Sequence, residues 1–263
     1  MIVVSELQTA LYSLRNTKPL VLSLTNVVTM DFMANCLLSI GAAPIMTQSV
    51  DEAGELLAIS QALNLNIGTL DKPFCERALQ TASWAKDRHV PIILDPVGAG
   101  ASQLRTDAAQ SLLPFAHIIR GNSSEIVALT EGKRGTNGVE SSLDVHDAMN
   151  AAHTLSRLQK VVVVSGAVDF VSTYESSHHL PFGSMMMSLV TGMGCALTAV
   201  IAAFAGSGLS HDKAALYGTA YFGLCGQTAA LSAKAPGSFR QKFIDTLYDP
   251  DWDTIEEFIA SAL

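Results

Sequence analysis

The chain has 263 residues, 49% of them hydrophobic and 15% charged, where soluble domains usually carry about 25% charged residues. That balance excludes intrinsic disorder, collagen and a solvated coiled coil, and the length allows a thick core. Sixteen basic against 24 acidic residues leave a net charge of −8, so there is no electrostatic footprint for nucleic acid, although local positive groups can still receive an anionic substrate.

Taken in chain order, apolar runs of strand type alternate with helical patterns. The N-terminal stretch lacks the basic-then-apolar plan of a signal peptide. Strand-like runs are LVLSL at 20–24, APIM at 43–46, LNLNIG at 63–68, VPIILDPV at 90–97, HIIRGN at 117–122 and KVVVVSG at 160–166. Continuous apolar runs suit strands buried on both faces, so the pattern reads as α/β with a largely parallel sheet. Helices are expected over 29–40, ended by Gly41, over 51–62 with Asp51 as N-cap, and over 72–88 with Pro73 in the first turn. Further helices are expected over 123–129, 143–158, 195–205, 212–233, 239–248 and 253–260.

Two features bound the class further. No Lys, Arg, Asp or Glu occurs from Ser176 to Ser210, a run long enough to cross a bilayer. Gly192, Gly194, Gly206 and Gly208 inside it and flanks without Lys/Arg asymmetry favour a buried core helix after a Gly-rich turn. The cysteines, Cys36, Cys75, Cys195 and Cys225, are 39, 120 and 30 residues apart. That spacing makes no zinc knuckle and no disulfide framework, so a reducing cytoplasm is the expected compartment.

Signatures of P-loop, zinc-protease, nucleophile-elbow and first-strand dinucleotide sites are absent. The strongest local signal is Val190-Thr191-Gly192-Met193-Gly194-Cys195, two glycines around one residue before an apolar helix. A tight Gly turn at a helix N-terminus makes an anion site able to hold a transferring phosphoryl group. The same field is expected to lower the pKa of Cys195; the bland alternative is a plain turn with an inert buried thiol. Asp95 in LDPVGAG ends a buried strand, where open α/β sheets bind ligands, and could hold Mg²⁺ rather than simply cap the turn. In RGNSSE, Asn122 and Glu125 have the spacing of a capping box, while Arg120 suits a phosphate and Glu125 a magnesium-bound water. Ser165 ends another strand, and Asn26 or Thr29 could cap a helix after the first. Met46 closes the second run, where a thioether suits either the core or an aromatic heterocycle. Polar or Gly-rich groups thus recur at the carboxyl ends of five or six strands, as along one active-site rim.

These blocks, in this order, resemble the hydroxyethylthiazole kinases of the ribokinase-like superfamily. The resemblance runs from about Pro19 to Tyr248 on TNVVTMDFMAN at 25–35, GAAPIM at 41–46, LNIGTL at 65–70, LDPVGAGA at 94–101, IRGNSSEI at 119–126, VVSGAVDFV at 163–171, TGMGCALTAVIAAF at 191–204 and PGSFRQKFIDTLY at 236–248. It implies one ribokinase-like domain over residues 1–263, three-layered, with a mostly parallel central sheet flanked by helices and no lid. It implies transfer of the ATP γ-phosphoryl, with Mg²⁺, to the primary hydroxyl of 4-methyl-5-(2-hydroxyethyl)thiazole in thiamin synthesis or salvage. It also implies a cytoplasmic homotrimer with active sites between subunits, acting on a small alcohol and ATP and binding neither nucleic acid nor membrane. By resemblance Asn26, Met46, Gly192 and Cys195 hold the thiazole. Arg120, Asn122, Ser165, Gly192 and Gly194 meet ATP or its phosphates, and Asp95 and Glu125 the metal. Cys195 stands where superfamily relatives place an Asp base, and is read as positioning or deprotonating the alcohol rather than forming a phosphocysteine.

The chain departs from the family pattern at three places. Met193 replaces Thr in the G-T-G-C turn, Ser165 replaces Thr, and the stretch 179–189 lacks the Lys usual before Val-Thr-Gly. A kinase for a pyrimidine alcohol or a pyridoxal-type vitamer, and a sensor that binds the heterocycle without turnover, are the competing readings.

Overall fold

A computed structural model describes residues 2–131 and 145–262. Strands β1 (Leu20–Leu24), β2 (Ala43–Met46), β3 (Ala62–Asn66), β4 (Ile92–Asp95), β5 (Ile118–Asn122) and β6 (Val161–Ser165) pair in parallel in the order β2-β1-β3-β4-β5-β6. Strands β7 (Asp169–Ser172) and β8 (Ser177–Leu180) extend the sheet as an antiparallel hairpin. The six expected runs are all strands. The hairpin is additional, built from two four-residue segments too short and too mixed in polarity to announce themselves.

Side chains alternate across a strand, and here both faces are apolar. Val21, Ile93, Val161 and Val163 face one core; Leu22, Leu24, Ile92, Leu94, Val162 and Val164 face the other. Against the first face lie α1 (Val4–Thr17), α2 (Met30–Ile40), α8 (Met193–Gly206), α9 (His211–Ala230), α10 (Pro236–Tyr248) and α11 (Trp252–Ser261). Against the second lie α3 (Val50–Ile59), α4 (Lys72–Asp87), α5 (Gln103–Leu112), α6 (Ser123–Glu131) and α7 (Val145–Ser156). The result is the three-layer α/β architecture.

The charge-free run resolves into β8, a 3₁₀ turn at Met185–Leu189 and α8, whose residues from Cys195 to Ala205 are all buried. Among the described residues no helix is long and apolar enough to cross a membrane. All four cysteines are free.

Several boundaries differ from expectation for local reasons. Ser49, not Asp51, caps α3: its hydroxyl accepts the Asp51 N–H at 3.1 Å, which puts Asp51 and Glu52 in the first turn, where their charge suits the helix dipole. Helix α3 stops at Ile59, because the Gln61 N–H bonds Leu20 C=O and Ala62 already belongs to β3. Helix α8 begins at Met193 rather than Cys195, since Gly192 takes the left-handed conformation (φ 93°) and its C=O receives the first helical bond, from the Ala196 N–H. Positions 143 and 144 of the helix expected over 143–158 lie outside the described residues.

Candidate active site

In a parallel sheet, paired residues share a face. Register sets Ser23 beside Asn64 and Asn66 beside Asp95, on the side of the sheet covered by α8. Arg120 and Ser165 lie on that same side, beside and beyond Val163. A row of polar groups therefore crosses the carboxyl ends of β1, β3, β4, β5 and β6 under the start of one apolar helix.

Asp95 is the centre of this row and is fully buried. Its Oδ2 accepts the Asn66 amide N–H at 2.8 Å and the Thr198 hydroxyl at 2.8 Å, and the Arg120 guanidinium stands 3.8 Å away. Its Oδ1 is buried as well and accepts from no side chain or backbone group among the described residues. Burial pushes the Asp95 carboxyl up to about 6, against the pull of Arg120 and the two hydrogen bonds.

Arg120 reaches sideways to Ser165, donating from Nε to Oγ at 2.7 Å. It lies hard against the Gly turn: a Cβ on Gly194 would push its guanidinium aside, away from the Ser165 hydroxyl that it holds. At Gly192 the requirement for glycine is conformational, with Thr29 and Phe32 pressing on the same side. The N–H groups of Met193, Gly194 and Cys195 precede the first helical bond and are the free donors of this helix end.

Cys195 corrects the expectation of a lowered pKa. It is buried, and desolvation followed by the Asp95 charge raises it above the ordinary thiol value. The polar side chains of Thr29 and Asn66, and the Arg120 charge, act the other way without winning. The helix end does not offset the loss of water, so the group is a thiol at neutral pH.

The capping box at the start of α6 is present. The Glu125 N–H donates to Asn122 Oδ1 at 2.9 Å, and Glu125 Oε2 accepts the Asn122 N–H at 2.8 Å. The other oxygen, Oε1, accepts the Gly98 N–H at 2.8 Å, which ties the loop after β4 to α6. Asn122 Oδ1 also receives the Ser124 hydroxyl.

Asn26 sits in the loop after β1, where its Oδ1 accepts the Val28 N–H and its side chain packs on Gly68. Thr29 occupies the N-cap position of α2, but its hydroxyl bonds the Asn26 C=O instead of a helix N–H. Met46, half-buried, ends β2 opposite Ser23. Asn26, Thr29, Gly192 and Cys195 thus lie close together, and Asp95, Glu125, Arg120 and Ser165 form the adjoining half.

Three residues of this arrangement escape a reading of the sequence alone. Asn66 and Thr198 bond Asp95 directly. Arg105 donates to the carbonyls of Ile67, Val97 and Gly68 at 3.1, 2.8 and 2.9 Å, bracing the loops after β3 and β4. A polar side chain inside an apolar strand, Asn66 in LNLNIG, was the available signal.

Residues 11–251 match the model of the hydroxyethylthiazole kinase family. The chain belongs to that family. It is 42% identical over 252 residues to the hydroxyethylthiazole kinase of Chlamydia caviae, covering 95% of this chain and 96% of that one. To the enzyme of the same name from Photobacterium profundum it is 43% identical, covering 95% and 91%. The solved hydroxyethylthiazole kinase protein of Pyrococcus horikoshii superposes with a TM-score of 0.88 at 33% identity over 96% of both chains. A pyridoxal kinase of Bacillus subtilis (TM-score 0.58, 16% identity, 78% and 90% covered) shares the fold alone, which is the ribokinase-like one.

Proposed function

We propose that this chain transfers the γ-phosphoryl group of ATP to the primary hydroxyl of 4-methyl-5-(2-hydroxyethyl)thiazole, an alcohol phosphotransferase reaction of thiamin synthesis or salvage. The observation that carries the reading is the Gly192–Cys195 turn. A helix N-terminus there faces a buried carboxylate and an arginine, in a chain of the hydroxyethylthiazole kinase family.

Phosphoryl transfer needs positioning and charge stabilisation more than covalent chemistry. The N–H groups of Met193, Gly194 and Cys195 receive the equatorial oxygens of the moving group. Replacing Thr by Met at 193 preserves those backbone donors. Arg120 and Ser165 hold the ATP phosphates from the β5–β6 side. Asn122 joins them through its amide N–H groups, its Oδ1 being occupied in the cap. Asn26, Met46, Gly192 and Cys195 enclose the thiazole. Cys195, a buried thiol, orients the alcohol and does not take its proton as a thiolate.

Mg²⁺ fits the donor set. It is bound by one or two carboxylates together with phosphates and retained waters. Asp95 offers an unengaged buried oxygen, and each Glu125 oxygen keeps a lone pair beyond its one N–H bond. When bound, the ion supplies neutralisation of charge on the phosphates. Residues 1–263 are read as one kinase domain, working in the reducing cytoplasm as a homotrimer with the active site between subunits.

The test is ATP consumption by the purified protein with Mg²⁺ and hydroxyethylthiazole, with hydroxymethylpyrimidine and pyridoxal in parallel. Thiazole-dependent turnover is expected. Turnover with another alcohol alone would keep the reaction class and move the substrate. Thiazole binding without turnover would replace the kinase reading by that of a sensor.

A further inference from the structure

We infer that Asn66 and Thr198 are positioning residues of the phosphoryl-transfer site, which together load Oδ2 of Asp95 and leave Oδ1 as the side of that carboxylate offered to the metal. The inference rests on the kinase reading and deepens it.

The orientation of Asn66 is set independently of Asp95, by the Gly68 N–H. Asn66 is fully buried, and its Oδ1 accepts the Gly68 N–H at 2.9 Å while its Nδ2 donates to Asp95. Flipping the amide would set an N–H₂ against an N–H and an oxygen against a carboxylate, so one orientation is possible. Asn66 thereby joins the loop after β3, on which Asn26 packs, to Asp95.

Thr198 is fully buried one turn inside α8. Its single hydroxyl proton has two acceptors, Asp95 Oδ2 at 2.8 Å and the Gly194 carbonyl at 3.2 Å. The shorter contact, to a carboxylate, is the stronger one. It ties the helix that receives the phosphoryl group to the strand that carries the carboxylate. With Arg120 on the same oxygen, Oδ2 has three positive or hydrogen-bonding neighbours and Oδ1 has none among the described residues. An asymmetry so complete, in a fully buried carboxylate, orients the free lone pairs. Groups that orient a metal-ligating carboxylate commonly change metal affinity about 10- to 100-fold when removed.

The test compares Thr198→Val, which keeps the shape and removes the hydroxyl, with Thr198→Ser, which restores it; Asn66→Leu is the second site. Binding of Mn²⁺ to the protein–ATP complex is followed by electron paramagnetic resonance, beside steady-state kinetics and Tm. In Thr198→Val, Mn²⁺ affinity should fall by about 10-fold or more, with kcat reduced and KM for the thiazole alcohol little changed. Thr198→Ser should recover most of the affinity, and Thr198→Val should add nothing in an Asp95→Asn background. Unchanged Mn²⁺ affinity in Thr198→Val, or a Ser variant as impaired as the Val variant, would overturn the inference and leave only a packing role. If the parent turns over none of the three alcohols, the kinase reading falls while the Mn²⁺ comparison still decides this one. A parent that binds no Mn²⁺–ATP overturns both.

Discussion

Cys195 is the third residue of α8, where the field of the helix end favours a thiolate, yet desolvation and the Asp95 carboxylate raise it. Two consequences follow for the chemistry. Alkylation by iodoacetamide should be slow at pH 7 and accelerate only above pH 9. Cys195→Ser should keep kcat within about 10-fold of the parent, the range separating an orienting group from a required general base. A loss of three orders of magnitude, measured with saturating ATP and thiazole alcohol, would restore a proton-abstracting role to the sulfur. Its neighbour illustrates the opposite balance. Alanine at 194 would improve helix propensity, but its Cβ would displace the Arg120 guanidinium from the turn.

At the scale of elements, the two ends of the sheet solve different problems. The carboxyl ends carry the site. The amino ends carry His117, which accepts the Ile92 N–H on Nδ1 at 3.0 Å and packs tilted against His211, ring centroids 4.7 Å apart. Burial, then His211 and Lys160, lower its pKa from 6.5 to about 4. The folded state therefore binds this proton less well than the unfolded chain. Its contribution is complete above pH 6.5 and is lost as pH falls toward 4. His117→Asn keeps an acceptor for Ile92 without the titration. The urea midpoint of the variant should depend less on pH between 6.5 and 4 than that of the parent; equal slopes would show that His117 does not titrate in this range.

Most of the elements were legible because both sheet faces are apolar, which makes each parallel strand a continuous run such as VVVV at 161–164. Helix α5 was not, because QLRTDAAQSL turns only Thr106, Ala109 and Leu112 inward and shows no apolar stripe. The site was legible as a set of strand ends but not as a network. Asn66 meets Asp95 only through the β3–β4 register, and Thr198 meets it across 103 residues of chain. Neither pairing leaves a local pattern. The sign of the Cys195 shift likewise depends on how much water the folded chain excludes, which a motif does not carry.

At the scale of the molecule, the sheet ends on β2, an edge strand whose four residues are all half-buried. Around it, Val27 and Val28 before α2, Leu38 on α2, and Val50 and Ile59 on α3 expose apolar side chains. Open edges and clustered apolar surface are the usual marks of a subunit contact. Met46 ends that same strand, and Asn26 adjoins Val27, so a second copy covering this edge would close the thiazole side of the site. The expected assembly is the homotrimer, with a sedimentation mass three times the 27.8 kDa of the chain. Val28 is 69% exposed, so Val28→Glu should leave the fold of each subunit intact and act through association alone. The charge would be buried unpaired at the contact, weakening association by a few kcal/mol. The variant should sediment as a monomer, with KM for the thiazole alcohol raised and far-ultraviolet circular dichroism unchanged. A monomeric Val28→Glu protein with the parent's KM would place the whole site within one subunit.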